Sequence, residues 1–180
     1  MGTTTLLSFE EFLNLPNLDA GKRELLEGEL IELPPATGPH NRIANRIVFA
    51  LKNFMMKQAD DPDRACVELG FEISAQKRSW LQPDAALLHS GQRLNRASYY
   101  EGAPLIAIEV ISPRNKARDI DRKRLIYLAH GSEEVWIVQP RTRTITVESG
   151  HKTGSVRYEH AIVSALLPGF HLNLDDLFAR

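Results

Sequence analysis

Residues 103–127 read APLIAIEVISPRNKARDIDRKRLIY, and this stretch decides the fold. Leu105 to Ser112 is almost continuously apolar, the pattern of a central strand covered on both faces. One carboxylate, Glu109, is embedded in it. A charge in such a strand is tolerated where an ion pair or a metal compensates its lost hydration. The run breaks at Ser112-Pro113, crosses a basic loop and enters a helix expected over residues 117–130, with Gly131 as its C-terminal stop. Ile120, Tyr127 and Leu128 mark the apolar side of that helix. Asp119 and Lys123, four apart, neighbour each other on one flank.

A second acid stands upstream. Pro83-Asp84 opens the apolar run DAALLH, within a strand expected from Trp80 to His89. Asp84 and Glu109 on two strands, with Lys123 on the next helix, suggest metal-assisted phosphodiester cleavage. Mg²⁺ and Mn²⁺ take oxygen ligands, and one or two carboxylates plus water and substrate phosphate suffice. A bound metal generates a nucleophile at neutral pH and relieves charge on the phosphoryl group. A nearby lysine can orient the attacking water and stabilise developing negative charge. Spacing alone leaves plainer readings open: a strand-end aspartate, a glutamate paired with an arginine, and a surface pair between Asp119 and Lys123.

Working outward, 180 residues with 43% apolar and 25% charged content describe one soluble mixed α/β domain over 1–180. No apolar run approaches the ~20 residues that span a bilayer, and the N-terminus lacks a signal-peptide pattern, so a cytoplasmic protein is expected. Cys66, the single cysteine, has no disulfide partner. Net charge of −1 excludes a globally attractive surface for nucleic acid, so such contacts need a local basic patch.

The order of elements is a short helix over Thr5–Leu15 with a Ser8/Glu11 capping box, then a hairpin in KRELLEGELIEL around Gly28. A long helix follows from about His40 to Gln58, with Ile43, Ile47, Ala50, Leu51 and Phe54 on one side. Glu24, Glu27, Glu29 and Glu32 of the hairpin read mostly as solvent-facing, with Glu27 at the turn singled out. His40 is either a cap-region residue in water or a site residue facing the acids. Asp60 to Asp63 is turn chemistry rather than a metal loop. Strands are expected at Cys66–Ile73, Trp80–His89, Leu105–Ser112, Glu133–Val138, TITVES and Val156–Tyr158, before a terminal turn or short helix in LPGFHLNLDDLF.

The ordered series RELLEGELIEL-PP, His40, QPDAALL, LIAIEVISP, Asp119 with Lys123 and Tyr127, EVWIVQP and LPGF resembles the Uma2 family of restriction-endonuclease-like proteins, within the PD-(D/E)XK nuclease superfamily. The resemblance covers nearly the whole chain. It implies an α-β-β-β-α-β core, extended by an N-terminal helix and hairpin and by C-terminal strands. It further implies a Mg²⁺- or Mn²⁺-dependent DNA endonuclease in which Asp84 and Glu109 hold the metal and the Val110 carbonyl adds a ligand. The sequence departs from the superfamily's E-x-K pattern at Ile111, so Lys123 is the matching lysine, with Asp119 as its positioner. Gln139 replaces the aspartate of a W-I-V-D-P pattern. The long helix holds no acid, so Glu27 or His40 would complete the site.

The basic run supplies Arg114, Lys116, Arg118 and Arg122 as candidate phosphate contacts, against the reading of a solvated charged face. A homodimer would serve double-strand cleavage. Two alternatives stand beside the enzyme: a nucleic-acid-binding or regulatory protein that keeps the nuclease fold without turnover, and an interaction module presenting Trp80, Tyr99 and Tyr100.

Overall fold

The computed structural model describes residues 6–179 other than 17, 75, 77, 114, 152 and 153. A short helix, α1 (Phe9–Leu13), starts at Ser8, where the expected capping box forms with Glu11. The hairpin follows as β1 (Lys22–Leu26) and β2 (Glu29–Leu33), turning through Glu27 and Gly28, both at positive φ. The long helix is α2 (Gly38–Lys57), with Pro39 in its first turn, where a missing N–H costs nothing. Ile43, Ile47, Leu51 and Met55 are buried at helical spacing. Asp60–Asp63 makes a turn into a single 3₁₀ turn, Pro62–Arg64, with the Asp61 side chain capping Asp63 N–H.

Two expected strands each prove to be two. Residues 66–73 divide into β3 (Ala65–Val67) and β4 (Phe71–Ser74), and residues 80–89 into β5 (Ser79–Leu81) and β6 (Ala85–Leu87). The breaks fall at Glu68, which has φ of 50°, and at Gln82-Pro83-Asp84. Periodicity missed the second break because β5 and β6 are both buried throughout, and the first because the buried positions Ala65, Phe71 and Ile73 keep one parity across it. After a loop containing the two-residue β7 (Tyr100–Glu101), the central strand β8 (Ile106–Val110) is buried throughout. Helix α3 (Ala117–Ala129) then leads to β9 (Glu134–Gln139), β10 (Thr144–Ser149) and β11 (Ser155–Tyr158). The C-terminal region adds an unforeseen hairpin, β12 (Ala161–Ser164) with β13 (Leu167–Asn173), before α4 (Leu174–Leu177).

The strands form a six-stranded sheet in the order β11-β10-β9-β8-β6-β3 and a five-stranded sheet in the order β2-β1-β5-β4-β7. In the first, β8 runs parallel to β9 across the α3 crossover and antiparallel to β6. Alternation assigns its faces. Ile106, Ile108 and Val110 share a core with α2, the terminal hairpin and α4. Ala107 joins Ala86, Tyr127, Leu26, Phe71 and Leu81, a core shared with α3 and the second sheet. Glu109 has the parity of Ala107, and Asp84 that of Ala86, so both acids belong to the α3 side. Among the described residues no helix is long and apolar enough to cross a membrane.

Candidate active site

The register of β6 on β8 pairs Ala85 with Ile108, so Asp84 stands one step beyond, opposite Glu109. The Val110 backbone N–H donates to Asp84 Oδ2 at 2.8 Å, which fixes the aspartate against the central strand. Asp84 is 6% exposed and Glu109 3%. Buried carboxylates need compensation, and each has it. Lys22 Nζ lies 3.0 Å from Asp84 Oδ1, and His40 Nε2 lies 3.2 Å from the same oxygen. Lys123 Nζ lies 2.5 Å from Glu109 Oε1, which also accepts from the Tyr127 hydroxyl at 3.0 Å.

A third acid, Glu24, completes the cluster. Its Oε1 accepts from Lys123 Nζ at 2.9 Å and from the Gln82 N–H at 2.9 Å. Its Oε2 is buried without a hydrogen-bond partner, and the residue is 1% exposed. Lys22 and Glu24 sit two apart on β1 and so point to one face of the strand. Sequence reading placed Glu24 among solvent-facing positions, because Leu25-Leu26 hides the alternation of a strand buried on both sides. A readable signal existed for Lys123: it follows Ile120 by three and precedes Tyr127 by four, within the apolar side of α3.

Electrostatics follow from this packing. For Glu109, burial is the largest influence, and with the Asp84 and Glu24 charges it outweighs Lys123, so the carboxyl is raised to about 7. Burial pushes Asp84 upward too, but His40, Lys22 and Lys123 together hold it well below the usual carboxylate range. Burial opposes the charge on Lys123, yet Glu109, Glu24 and Asp84 overcome it and hold the ammonium firmly protonated. Cys66 lies apart as a half-buried thiol pushed up to about 12 by burial, which leaves it unreactive.

Several expected site residues are placed elsewhere. Glu27 sits at the hairpin turn, half exposed, bound by Arg122. Asp119 lies 4.0 Å from Arg122, whereas the Lys123 ammonium is turned to Glu24 and Glu109. Arg122 itself is clasped by Glu27, Glu29 and the Leu26 carbonyl, and so is committed to joining α3 to the hairpin. Lys116 and Arg118 are exposed at the start of α3, and Arg114 falls outside the described residues. Ile111 packs beside the α3-side core. Trp80, offered as an interface residue, is 7% exposed, wedged between Phe12 and Tyr99, and Tyr100 stacks on Phe71. His40 does reach the acids, from the first turn of α2.

Asp84 and Glu109 open, with Lys22 and His40, onto a cleft of about 1000 Å³ whose rim includes Ser112 and Asn115. Lys123 and Glu24 lie behind Glu109, outside the lining. The donor set suits a hard divalent cation: two facing carboxylates at an open cleft, and a third carboxylate with an unpartnered oxygen nearby. Among the described residues no group of three or more His, Cys, Asp or Glu side chains is spaced to hold a metal ion. A two-carboxylate site completed by water and phosphate is the arrangement magnesium ordinarily takes.

A mixed sheet crossed by α3, with α2 on its other face and acids at the ends of two adjoining strands, is a restriction-endonuclease-like nuclease fold. The chain belongs to the Uma2 family, described as "Putative restriction endonuclease", whose family model matches residues 9–175. Its structure is similar to the crystal structure, at 1.96 Å resolution, of a protein from Anabaena variabilis ATCC 29413 described as a "putative nuclease belonging to DUF820". The two align with a TM-score of 0.78 at 23% identity, covering 96% of this chain and 98% of the other. Comparison with curated proteins gives no match.

Proposed function

We propose that the chain is a cytoplasmic, divalent-metal-dependent endonuclease that hydrolyses DNA phosphodiester bonds. The observation that carries this reading is the juxtaposition of Asp84 and Glu109 across paired strands in the lining of the cleft, with Lys123 held against Glu109. Asp84 and Glu109 would hold Mg²⁺ or Mn²⁺, the Val110 carbonyl being the remaining protein ligand implied by the family. When bound, the cation supplies an activated water and charge relief at the phosphoryl group.

The chain's own residues have separable tasks. The Val110 N–H and Tyr127 hydroxyl orient the two carboxylates. Lys123 is a positioning residue: it holds Glu109 and Glu24 from behind and adds fixed positive potential to a low-dielectric site. His40 stands at the cleft beside Asp84, where it can share a proton with an attacking or departing oxygen. Lys116 and Arg118, exposed at the start of α3, are available to meet DNA phosphates. Two copies acting together would cut both strands.

The test is cleavage of supercoiled plasmid with Mg²⁺ or Mn²⁺. Asp84→Asn and Glu109→Gln should each reduce the rate at least ~100-fold, the scale on which electrostatic groups act at such centres. Unchanged cleavage by either variant would overturn the assignment. A second reading, a DNA-binding protein without turnover, is favoured by the packing of Ile111 at the E-x-K position, which leaves β8 without a lysine at the cleft. It predicts salt-sensitive DNA retention with no cleavage by any divalent ion.

A further inference from the structure

Lys22 has no role in the chemistry above, yet its placement is specific. Its ammonium donates to the Gln82 carbonyl at 2.7 Å and to Asp84 Oδ1 at 3.0 Å. That oxygen is the cleft-side donor of Asp84, because Oδ2 is taken by the Val110 N–H. Lys22 comes from β1, the strand that also supplies Glu24, so one strand delivers a cation to Asp84 and an anion to Lys123. Its neighbour Arg23 points the other way, to Glu32. The lysine side chain also lines the cleft.

Given the metal-dependent reading above, we propose that Lys22 is a displaceable counter-cation, competing with the divalent metal for Asp84 Oδ1 and released into the cleft when the metal binds. The physical case rests on one oxygen and its neighbours. Asp84 is buried opposite Glu109 and near Glu24, and three carboxylates so close demand positive charge whether or not a metal supplies it. An ammonium is a compact point charge on a flexible four-carbon stem, suited to a place it can leave. The Gln82 carbonyl gives it a second acceptor, so it can stay at the cleft wall after losing Asp84. His40 shares the same oxygen but is a ring carried on a helix, with less reach. A metal whose entry displaces Lys22 binds more weakly than the bare acids would allow, and the site then releases a cation where the substrate phosphate arrives.

The test has two arms, both read without cleavage. In the first, Lys22 of the wild-type protein is probed with an amine-reactive reagent and its peptide quantified by mass spectrometry, across a MgCl₂ or MnCl₂ titration. Lys22 should be protected without the metal and become reactive as metal saturates, while Lys52, paired with Asp63 on the surface, does not change. In the second, calorimetry with MnCl₂ compares wild type with Lys22→Met and with the charge-matched Lys52→Met. Lys22→Met should bind Mn²⁺ about tenfold more tightly, and Lys52→Met should match wild type. Metal binding with Lys22 reactivity unchanged, or equal affinity in Lys22→Met and wild type, would overturn the proposal and leave the nuclease reading intact. Absence of metal binding in wild type and Lys22→Met alike would overturn both.

Discussion

Replacing Lys123 by Met tests the electrostatic core of the site most severely. The substitution roughly keeps the volume of a side chain that is 3% exposed, so packing loss is small. What it removes is the cation that Glu109 and Glu24 share, at 2.5 and 2.9 Å. Breaking a buried pair by deleting one partner typically costs about 3–5 kcal/mol, because the remaining charge is stranded. Here two carboxylates are stranded, but Glu109, already raised to about 7, escapes by taking a proton. The expected loss is therefore about 3–5 kcal/mol at pH 8 and smaller near pH 5. For a domain of this size it corresponds to a fall in Tm of ~6–20 °C at the higher pH. Urea denaturation at both pH values gives the comparison. Adding Glu24→Gln and Glu109→Gln to Lys123→Met should return most of the lost stability, since nothing charged is then left unpaired. A Lys123→Met protein within ~1 kcal/mol of wild type at pH 8 would refute the claim that this ammonium compensates the buried acids.

Two further outcomes are expected. Glu109 has its folded-state pKa raised, so the folded protein binds more protons than the unfolded chain between pH ~4.5 and ~7, and stability declines as pH rises through that window. Asp84 acts in the opposite sense: its lowered pKa contributes stability above pH ~4 that is lost as the solution becomes more acidic. Glu109→Gln should flatten the decline between pH 5 and 7 while leaving the acid limb in place, as read by thermal unfolding across pH; an unchanged slope between pH 5 and 7 would count against the assignment. Gly70→Ala tests the packing beside the cleft. A Cβ there would lie 2.2 Å from the Trp80 ring, so a loss of about 1–3 kcal/mol and an altered tryptophan near-UV signal are expected.

How much of this was legible in the sequence follows from where alternation survives. Leu105–Ser112 announced a central strand because its apolar run is nearly unbroken, and Glu109 stood out as the one charge in it. The capping box of α1 and the hairpin around Gly28 were equally readable, since both are local chemistry. Glu24 was not, because it lies on a strand whose two faces are both covered, by Trp80 and Phe12 on one side and Leu26's neighbours on the other. The division of residues 80–89 between two sheets was hidden for the same reason, since β5 and β6 are buried throughout. Glu27 attracted notice by its place at a turn, but a turn at positive φ aims its side chain outward, toward Arg122. Arg122 looked like a free cation because Glu27 and Glu29, the acids that hydrogen-bond it, are more than ninety residues away in sequence.

That separation has a consequence for how the protein comes into being. Glu24 and Lys123 are 99 residues apart, Lys22 and Asp84 62, and Asp84 and Val110 26. No segment shorter than residues 22–123 contains all the charges that gather around Asp84 and Glu109, and the strand beside β8 that completes the parallel pairing comes later still. A growing chain thus carries its acids as scattered, hydrated side chains until α3 has been made and docked. A chain that lacks either β1 or α3 therefore lacks a member of this charge cluster, whatever else of the fold it retains.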